Sequence, residues 1–169
     1  LATLPLSLAV LIGLLAAPRA AADERALRAA LLASMLLFGI GGIIGFLIAG
    51  SNVTIPAHYH GSIVGVTLAF MGLTYYLLPR LGFGEPDRRW AYAQPWVYGG
   101  GQLLHVLGLV WSGGYGVQRK VAGAAQGLDT VERIAAMGLM GLGGLLAIIG
   151  GVIFLVVVGR ALLRRPARA

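Results

Sequence analysis

Five apolar stretches dominate this chain and limit what it can fold into. They occupy residues 1–17, 31–50, 56–78, 95–111 and 134–158. Each is close to the roughly 20 residues that an α-helix needs to cross a bilayer. Hydrophobic residues make up 58% of the chain and charged residues 11%, a composition too apolar for a water-soluble domain of this size. The sequence therefore predicts an all-α membrane protein, a single unit of five transmembrane helices over residues 1–169.

The first stretch is the shortest and raises a separate question. It could be a signal peptide, but it lacks a basic region before the apolar residues, and the charged segment after it is typical of a loop and not of a cleavage site. We interpret it as a membrane span.

Basic residues are divided unevenly between the two sides of the predicted bundle. Ten lie in segments that share one side: Arg19, Arg25, Arg28, Arg80, Arg88, Arg89, Arg160, Arg164, Arg165 and Arg168. The opposite side carries Arg119, Lys120 and Arg133. Because cytoplasmic loops are enriched in Lys and Arg, we expect a cytoplasmic C-terminus and a third span that starts at the outer face.

The net charge is +7, and the basic residues lie in short segments next to the apolar spans. We therefore expect them to interact with the lipid bilayer and not with nucleic acid. The chain has no cysteine, which excludes disulfides, thiolate-bound iron and covalent haem attachment through Cys. Any haem iron must therefore be bound by histidine.

Two of the three histidines lie at the start of the third span, in Thr54-Ile-Pro-Ala-His58-Tyr59-His60-Gly61-Ser62. Thr54 is the predicted N-cap and Pro56 a first-turn proline. Residues two apart on a helix point about 200° apart, so His58 and His60 should leave opposite faces and cannot share one metal ion. Such a pair is suited to holding two separate haems.

Glycine is abundant inside the spans, with 27 residues in the chain. Two runs stand out, Gly39-Ile-Gly41-Gly42-Ile-Ile-Gly45 and Gly138-Leu-Met-Gly141-Leu-Gly143-Gly144. Small residues allow helices, or a flat cofactor, to approach closely. Close helix packing is the simpler expectation for any one of them.

The order of motifs resembles the C-terminal part of subunit I of the haem–copper oxidases. It runs FGIGGIIGFLIAGS, AHYHGSIVG, YYLLPRLG, HVLGL and QRK. The resemblance covers the chain nearly end to end and corresponds to the last five of that subunit's twelve helices. In the family the third of these helices carries an HxH motif.

The resemblance implies a role for each residue of the motif. His58 would be the proximal ligand of the high-spin haem, and His60 an axial ligand of the low-spin haem. Tyr59, where the family commonly has Phe, could lie near the electron path between the haems or simply pack there.

Other residues match the family less directly. Arg119 and Lys120 would correspond to an outer basic pair that contacts haem propionates, although both would also suit a solvated loop. His105 matches a histidine that binds neither iron nor copper, and we expect a structural hydrogen bond there. Gly50 and Ser51 stand where many members have the His-Asp pair of a magnesium site, so that site is not expected.

Three histidines are too few for a complete dinuclear centre. The copper ligands and the second ligand of the low-spin haem would have to come from missing N-terminal helices or from a partner subunit. The resemblance thus implies two haems here, copper held elsewhere, further oxidase subunits, and cytochrome c or quinol as electron donor for the reduction of O2 to water with proton translocation. It implies the inner membrane of a bacterial or archaeal cell.

Three alternatives remain open. A nitric oxide reductase has the same HxH arrangement, with iron in place of copper. A non-catalytic electron carrier of the cytochrome b type would need two axial histidines on separate helices at similar depth. A haem-free packing or transport subunit would need no haem ligand at all.

Overall fold

The computed structural model describes residues 3–121 and 123–164. These residues form five α-helices: α1 Thr3–Ala16, α2 Arg25–Phe46, α3 Thr54–Arg80, α4 Arg88–Gly114 and α5 Val131–Leu163. A short 3-10 turn, Gly123–Gln126, lies between α4 and α5. Strand-like pairing within the described ranges is limited to one isolated bridge, Asn52 with Gln118. The predicted all-α class is confirmed.

Three of the helices, α2, α3 and α5, are both long enough and apolar enough to cross a membrane. The fourth helix equals α3 in length, at 27 residues, but it includes the polar side chains of Gln94, Gln102 and His105. Helix α1 has 14 residues and therefore extends for about 21 Å, less than the roughly 30 Å of the hydrocarbon core.

Helices α4 and α5 begin earlier than the corresponding apolar stretches, because a capping side chain and not hydropathy sets the start of each. Helix α4 begins at Arg88 instead of residue 95, and the side chain of Asp87 accepts hydrogen bonds from the backbone N–H groups of Arg89 and Trp90. Helix α5 begins at Val131 instead of residue 134, and Thr130 accepts from the N–H of Arg133.

The start of α3 differs from the prediction in one respect. Thr54 is the first helical residue and not the N-cap, and Val53 before it makes no side-chain capping bond. The Oδ1 atom of Asn52 instead accepts from the N–H of Thr54 at 2.9 Å, because a side chain two residues upstream can reach this free donor. Pro56 lies in the first turn, as expected.

Helix α3 joins the two halves of the bundle. It packs along α2 and contacts both α4 and α5, whereas α4 and α5 pack along each other. Among the described residues α1 packs against α2 alone. The helix that carries His58 and His60 therefore contacts three other helices, α2, α4 and α5.

Glycines allow the closest helix crossings. A Cβ atom at Gly61 of α3 would lie 2.7 Å from the Cα of Gly41 in α2, and one at Gly101 of α4 would lie 2.9 Å from the carbonyl oxygen of Gly143 in α5. The expectation of close packing is confirmed at these positions. It is not general, because Gly39 and Gly42, among others, have nothing within 4 Å of such a Cβ.

The bundle end where α3 begins and α4 ends is called here the histidine end. Its core includes Ala57 and Val106, both with 0% exposure, together with Ile44 of α2. Toward the other end, the hydroxyl of Tyr75 donates to the Oε1 of fully buried Gln94 at 3.2 Å. His58 and His60 therefore lie next to a tightly packed apolar core.

Candidate functional site

His58 and His60 lie in the first two turns of α3 and point to different helices. The Nδ1 atom of His58 lies 2.7 Å from the carbonyl oxygen of Gly41 in α2. The ring of His60 instead contacts the ring of His105 in α4, with 4.9 Å between the ring centroids. The separation of the two side chains matches the spacing argument.

The contact with Gly41 decides which nitrogen of His58 can bind a metal. A carbonyl oxygen can only accept a hydrogen bond, so Nδ1 must carry the proton and donate it. In a neutral imidazole the lone pair then lies on Nε2. The hydrogen bond also fixes the orientation of the ring, as partners of metal-binding histidines commonly do.

His60 has the same arrangement through its own helix. Its Nδ1 lies 2.8 Å from the carbonyl oxygen of Pro56, four residues earlier. By the same reasoning Nδ1 donates and Nε2 keeps the lone pair. Both histidines are half-buried, so each presents a single Nε2 ligand without being enclosed by the described residues.

Gly45 makes room for the ring of His58. A Cβ atom at this position would lie 2.8 Å from Nδ1 and 2.9 Å from Cε1 of the imidazole. Gly41 and Gly45 therefore act together, because one supplies the carbonyl oxygen and the other the space. Sequence reasoning noted both only as small residues; the signal was their spacing of one helical turn on α2.

His105 is held by the fifth helix. Its Nδ1 lies 2.9 Å from the carbonyl oxygen of Met140 in α5, so the expected structural hydrogen bond is confirmed. Gly144 lies against the ring, since a Cβ there would be 3.4 Å from Nδ1.

Tyr59 faces away from the described bundle. Its side chain is 42% exposed, and its ring centroid lies 5.0 Å from that of His60. Large exposed apolar side chains follow at intervals of three or four residues along the same face of α3: Ile63, Val66, Phe70, Leu73 and Leu77. The part expected of Tyr59 in electron transfer stays a prediction.

The loop after α4 brings the basic pair to the histidine end. The N–H of Val53, just before α3, donates to the carbonyl oxygen of Val117 at 3.1 Å. Arg119 is half-buried, and its Nε donates to the Oγ of Ser51 at 3.2 Å. Lys120 is exposed and has a left-handed backbone with φ of 62°, which is uncommon for a residue with a Cβ.

Arg133 organises this loop, a role that counting charges did not indicate. Its guanidinium donates to the carbonyl oxygens of Tyr115 at 3.0 Å and Gly127 at 2.8 Å. It also pairs with Asp129 at 2.7 Å. The position of Arg133 just inside α5, beside a loop rich in glycine, was the available sequence signal.

The donor set fits haem iron better than a free metal ion. Across residues 3–121 and 123–164, no three His, Cys, Asp or Glu side chains converge on a possible metal site. A haem needs only one or two protein ligands because the porphyrin supplies the others, and single oriented imidazoles meet that need.

The family model for cytochrome c and quinol oxidase polypeptide I matches residues 1–153. The chain belongs to this family.

Members of the oxidase family are also found among the relatives. A cytochrome c oxidase subunit 1 of Thermus thermophilus is 33% identical over 92 residues, which cover 48% of this chain and 16% of the relative. An uncharacterized protein of Rickettsia prowazekii is 38% identical over 143 residues, covering 78% of this chain and 28% of the relative. The chain thus spans less than a third of either relative.

A solved structure has the same helical fold. The cryo-EM structure of a heme-copper terminal oxidase dimer superposes with a TM-score of 0.74 at 22% identity, over 85% of this chain and 28% of that chain. The predicted relation to the oxidase fold is confirmed, and the spanning helices make this oxidase-family chain a membrane protein.

Proposed function

We propose that this chain supplies the helix with two haem-binding histidines in a terminal oxidase. His58 would be the proximal ligand of the high-spin haem and His60 an axial ligand of the low-spin haem. The observation that carries the proposal is the pair of Nδ1 hydrogen bonds, which leave both Nε2 atoms available on different sides of α3.

The residues around His58 support the first role. The carbonyl oxygen of Gly41 holds the proton on Nδ1 and directs Nε2 away from α2. Gly45 leaves no side chain in the way of the ring. Both features keep the imidazole in one orientation and leave the lone pair of Nε2 available to bind iron.

The surroundings of His60 bear on the cytochrome b alternative. A bis-His haem lies between its two axial rings, whereas the rings of His60 and His105 are in contact, 4.9 Å apart and inclined at 47°. There is no room for a porphyrin between them. The second ligand of the low-spin haem would therefore come from missing N-terminal helices or another subunit, as would the copper ligands.

When bound, the two haems, held by His58 and His60, and the copper would supply the redox chemistry for reducing O2 to water. The electrons would come from cytochrome c or quinol, and the reaction would be coupled to proton translocation. The family description, which names cytochrome c and quinol oxidases, supports this reaction over nitric oxide reduction.

Arg119 and Lys120 would bind haem propionates. Support comes from their place at the histidine end, where Arg119 reaches Ser51, three residues before α3. Cationic donors there would pair with carboxylates of a bound haem. Lys120 would contribute charge without the two-pronged geometry of an arginine.

The uneven distribution of basic residues supports an orientation with the C-terminus in the cytoplasm. The histidine end would then face the outer side of a bacterial or archaeal inner membrane, where a soluble cytochrome c or a quinol in the lipid could deliver electrons. Other oxidase subunits would complete the complex.

The test uses the assembled membrane complex and two substitutions, His58→Ala and His60→Ala. His60→Ala should abolish the low-spin haem signal and leave a haem that binds CO after reduction. His58→Ala should abolish the CO-reactive haem. Tyr59→Phe, which changes the residue between them to the one common in the family, is the matched control and should keep both haems.

Two outcomes would overturn the proposal. If either alanine variant kept both haem signals at full intensity, the mutated histidine would not be a ligand. If the unmodified complex contained no haem, the haem-free packing subunit would be favoured.

A further inference from the structure

His105 belongs to none of the ligand roles above, yet it makes a direct contact with one of the proposed ligands. Its ring centroid lies 4.9 Å from that of His60, and the ring planes are inclined at 47°. This contact joins α4 to α3 at the proposed low-spin site. The contacts that hold the ring of His105 therefore bear on the orientation of His60.

The ring of His105 is fixed from the side of α5. Its Nδ1 donates to the carbonyl oxygen of Met140 at 2.9 Å. Gly143 allows the two backbones to meet, because a Cβ there would lie 2.8 Å from the Cα of His105. Gly144 leaves room for the ring, with 3.4 Å between its ideal Cβ and Nδ1. His105 is therefore held to α5 at both its backbone and its ring.

His60 is constrained only partly by its own helix. The hydrogen bond from Nδ1 to the carbonyl oxygen of Pro56, at 2.8 Å, fixes one edge of the imidazole. Rotation of the ring plane about this edge is limited by neighbouring rings. Tyr59 contributes one, at 5.0 Å between centroids, but its side chain is 42% exposed. His105 is the neighbour anchored to a second helix.

We infer that His105 is a positioning residue that sets the plane of the His60 imidazole for the low-spin haem. This inference rests on the proposed role of His60 as an axial ligand. The orientation of an axial imidazole relative to the porphyrin affects the electronic structure of the iron, and partners outside the ligand set commonly control it. The path from Met140 through His105 to His60 would make α5 part of that control.

The experiment compares His105→Leu and His105→Phe with the unmodified complex by electron paramagnetic resonance of the oxidised low-spin haem. His105→Leu removes both the ring and the anchor, and it should shift or broaden the largest g value while haem content stays the same. His105→Phe keeps a ring but loses the bond to Met140, so it should broaden the signal with a smaller shift. The midpoint potential of the same haem gives a second readout.

A variant that keeps the histidine covers the case in which His105→Leu does not assemble. Gly143→Ala adds a Cβ 2.8 Å from the Cα of His105, so it must displace the backbone that carries the ring and should shift g while His105 itself is kept. Gly141→Ala, on the same helix with nothing within 4 Å, is its matched control and should leave the spectrum unchanged.

The outcomes separate this inference from the proposed function. If His60→Ala abolishes the low-spin signal while the His105 and Gly143 variants keep the original g values and linewidths, His105 only packs and the inference is wrong. If His60→Ala keeps that signal, the proposed role of His60 fails, and the inference fails with it. Loss of the signal in His60→Ala together with shifted g values in the His105 variants supports both.

Discussion

The carbonyl oxygen of Gly41 in α2 accepts a hydrogen bond from the Nδ1 of His58 in α3, at 2.7 Å. The contact is possible because glycine at positions 41 and 61 lets the two helices meet at their backbones. The packing of α2 against α3 and the orientation of the His58 ring therefore depend on the same glycines. Substitution of a small residue of α2 should therefore alter the bond between His58 and the proposed high-spin haem.

Gly45→Ala should disturb the proximal ligand. The new Cβ would lie 2.8 Å from the Nδ1 of His58, so the imidazole must move and its hydrogen bond to Gly41 must lengthen. Overpacking of this kind costs about 1–3 kcal/mol. We expect a lower iron–histidine stretching frequency in the resonance Raman spectrum of the reduced high-spin haem, and less CO-reactive haem.

Gly42→Ala is the control for this prediction. It lies on the same helix with nothing within 4 Å of its Cβ, and alanine is the better helix former by up to about 1 kcal/mol. It should leave the stretching frequency unchanged. An unchanged frequency in Gly45→Ala as well would show that the ring does not depend on this space.

Arg119→Gln should lower the midpoint potential of a haem. A cation near the propionates stabilises the reduced iron, which carries less positive charge, so its removal favours the oxidised state by an amount on the order of tens of millivolts. A spectroelectrochemical titration of both haems measures the shift. Ser51→Ala removes the hydroxyl that accepts from Arg119 but keeps the charge, so its shift should be smaller.

If Arg119→Gln left both potentials unchanged, Arg119 would be a residue of the solvated loop. If Ser51→Ala produced the larger shift, the position of the side chain would matter more than its charge.

Gly150→Ala should destabilise the pair formed by α4 and α5. A Cβ at Gly150 would lie 2.6 Å from the Cα of Tyr98, whereas one at the adjacent Gly151 would lie 3.9 Å from a ring carbon of Tyr98. Backbone atoms cannot give way as a flexible side chain can, so the helices must separate at a cost of about 1–3 kcal/mol. The midpoint of thermal unfolding of the purified complex should fall in Gly150→Ala and stay nearly constant in Gly151→Ala. Equal midpoints for the two variants would contradict this account of the crossing.

The sequence predicted the helices well but the site only in part. Apolar length and the HxH spacing were enough for the helical class and for the divergence of His58 and His60. The start of α4 was missed because Asp87, a capping residue, lies outside the predicted span 95–111, in a segment that hydropathy reads as loop. Nothing in the residue type of Gly41 indicates that its carbonyl oxygen meets His58, since that contact depends on where α2 and α3 cross.

The hydrogen bonds of Arg133 to two loop carbonyl oxygens were not predicted, for a similar reason. A charge count places it on the side with few basic residues, but the path of the loop decides which carbonyl oxygens it meets. Those acceptors, Tyr115 and Gly127, lie on either side of the 3-10 turn and become neighbours only after the chain has folded back.

Arg133→Ala should loosen the loop that carries Arg119 and Lys120. It removes the bonds to the carbonyl oxygens of Tyr115 and Gly127, and hydrogen bonds from a charged group contribute about 1.5–3 kcal/mol. Asp129→Asn is the matched control, because Asp129 is 72% exposed and exposed ion pairs are worth about 0–1 kcal/mol. Hydrogen exchange of the backbone between α4 and α5 should quicken strongly in Arg133→Ala and only slightly in Asp129→Asn. If the two variants exchanged at the same rate, the loop would be held by the ion pair instead of by the two carbonyl contacts.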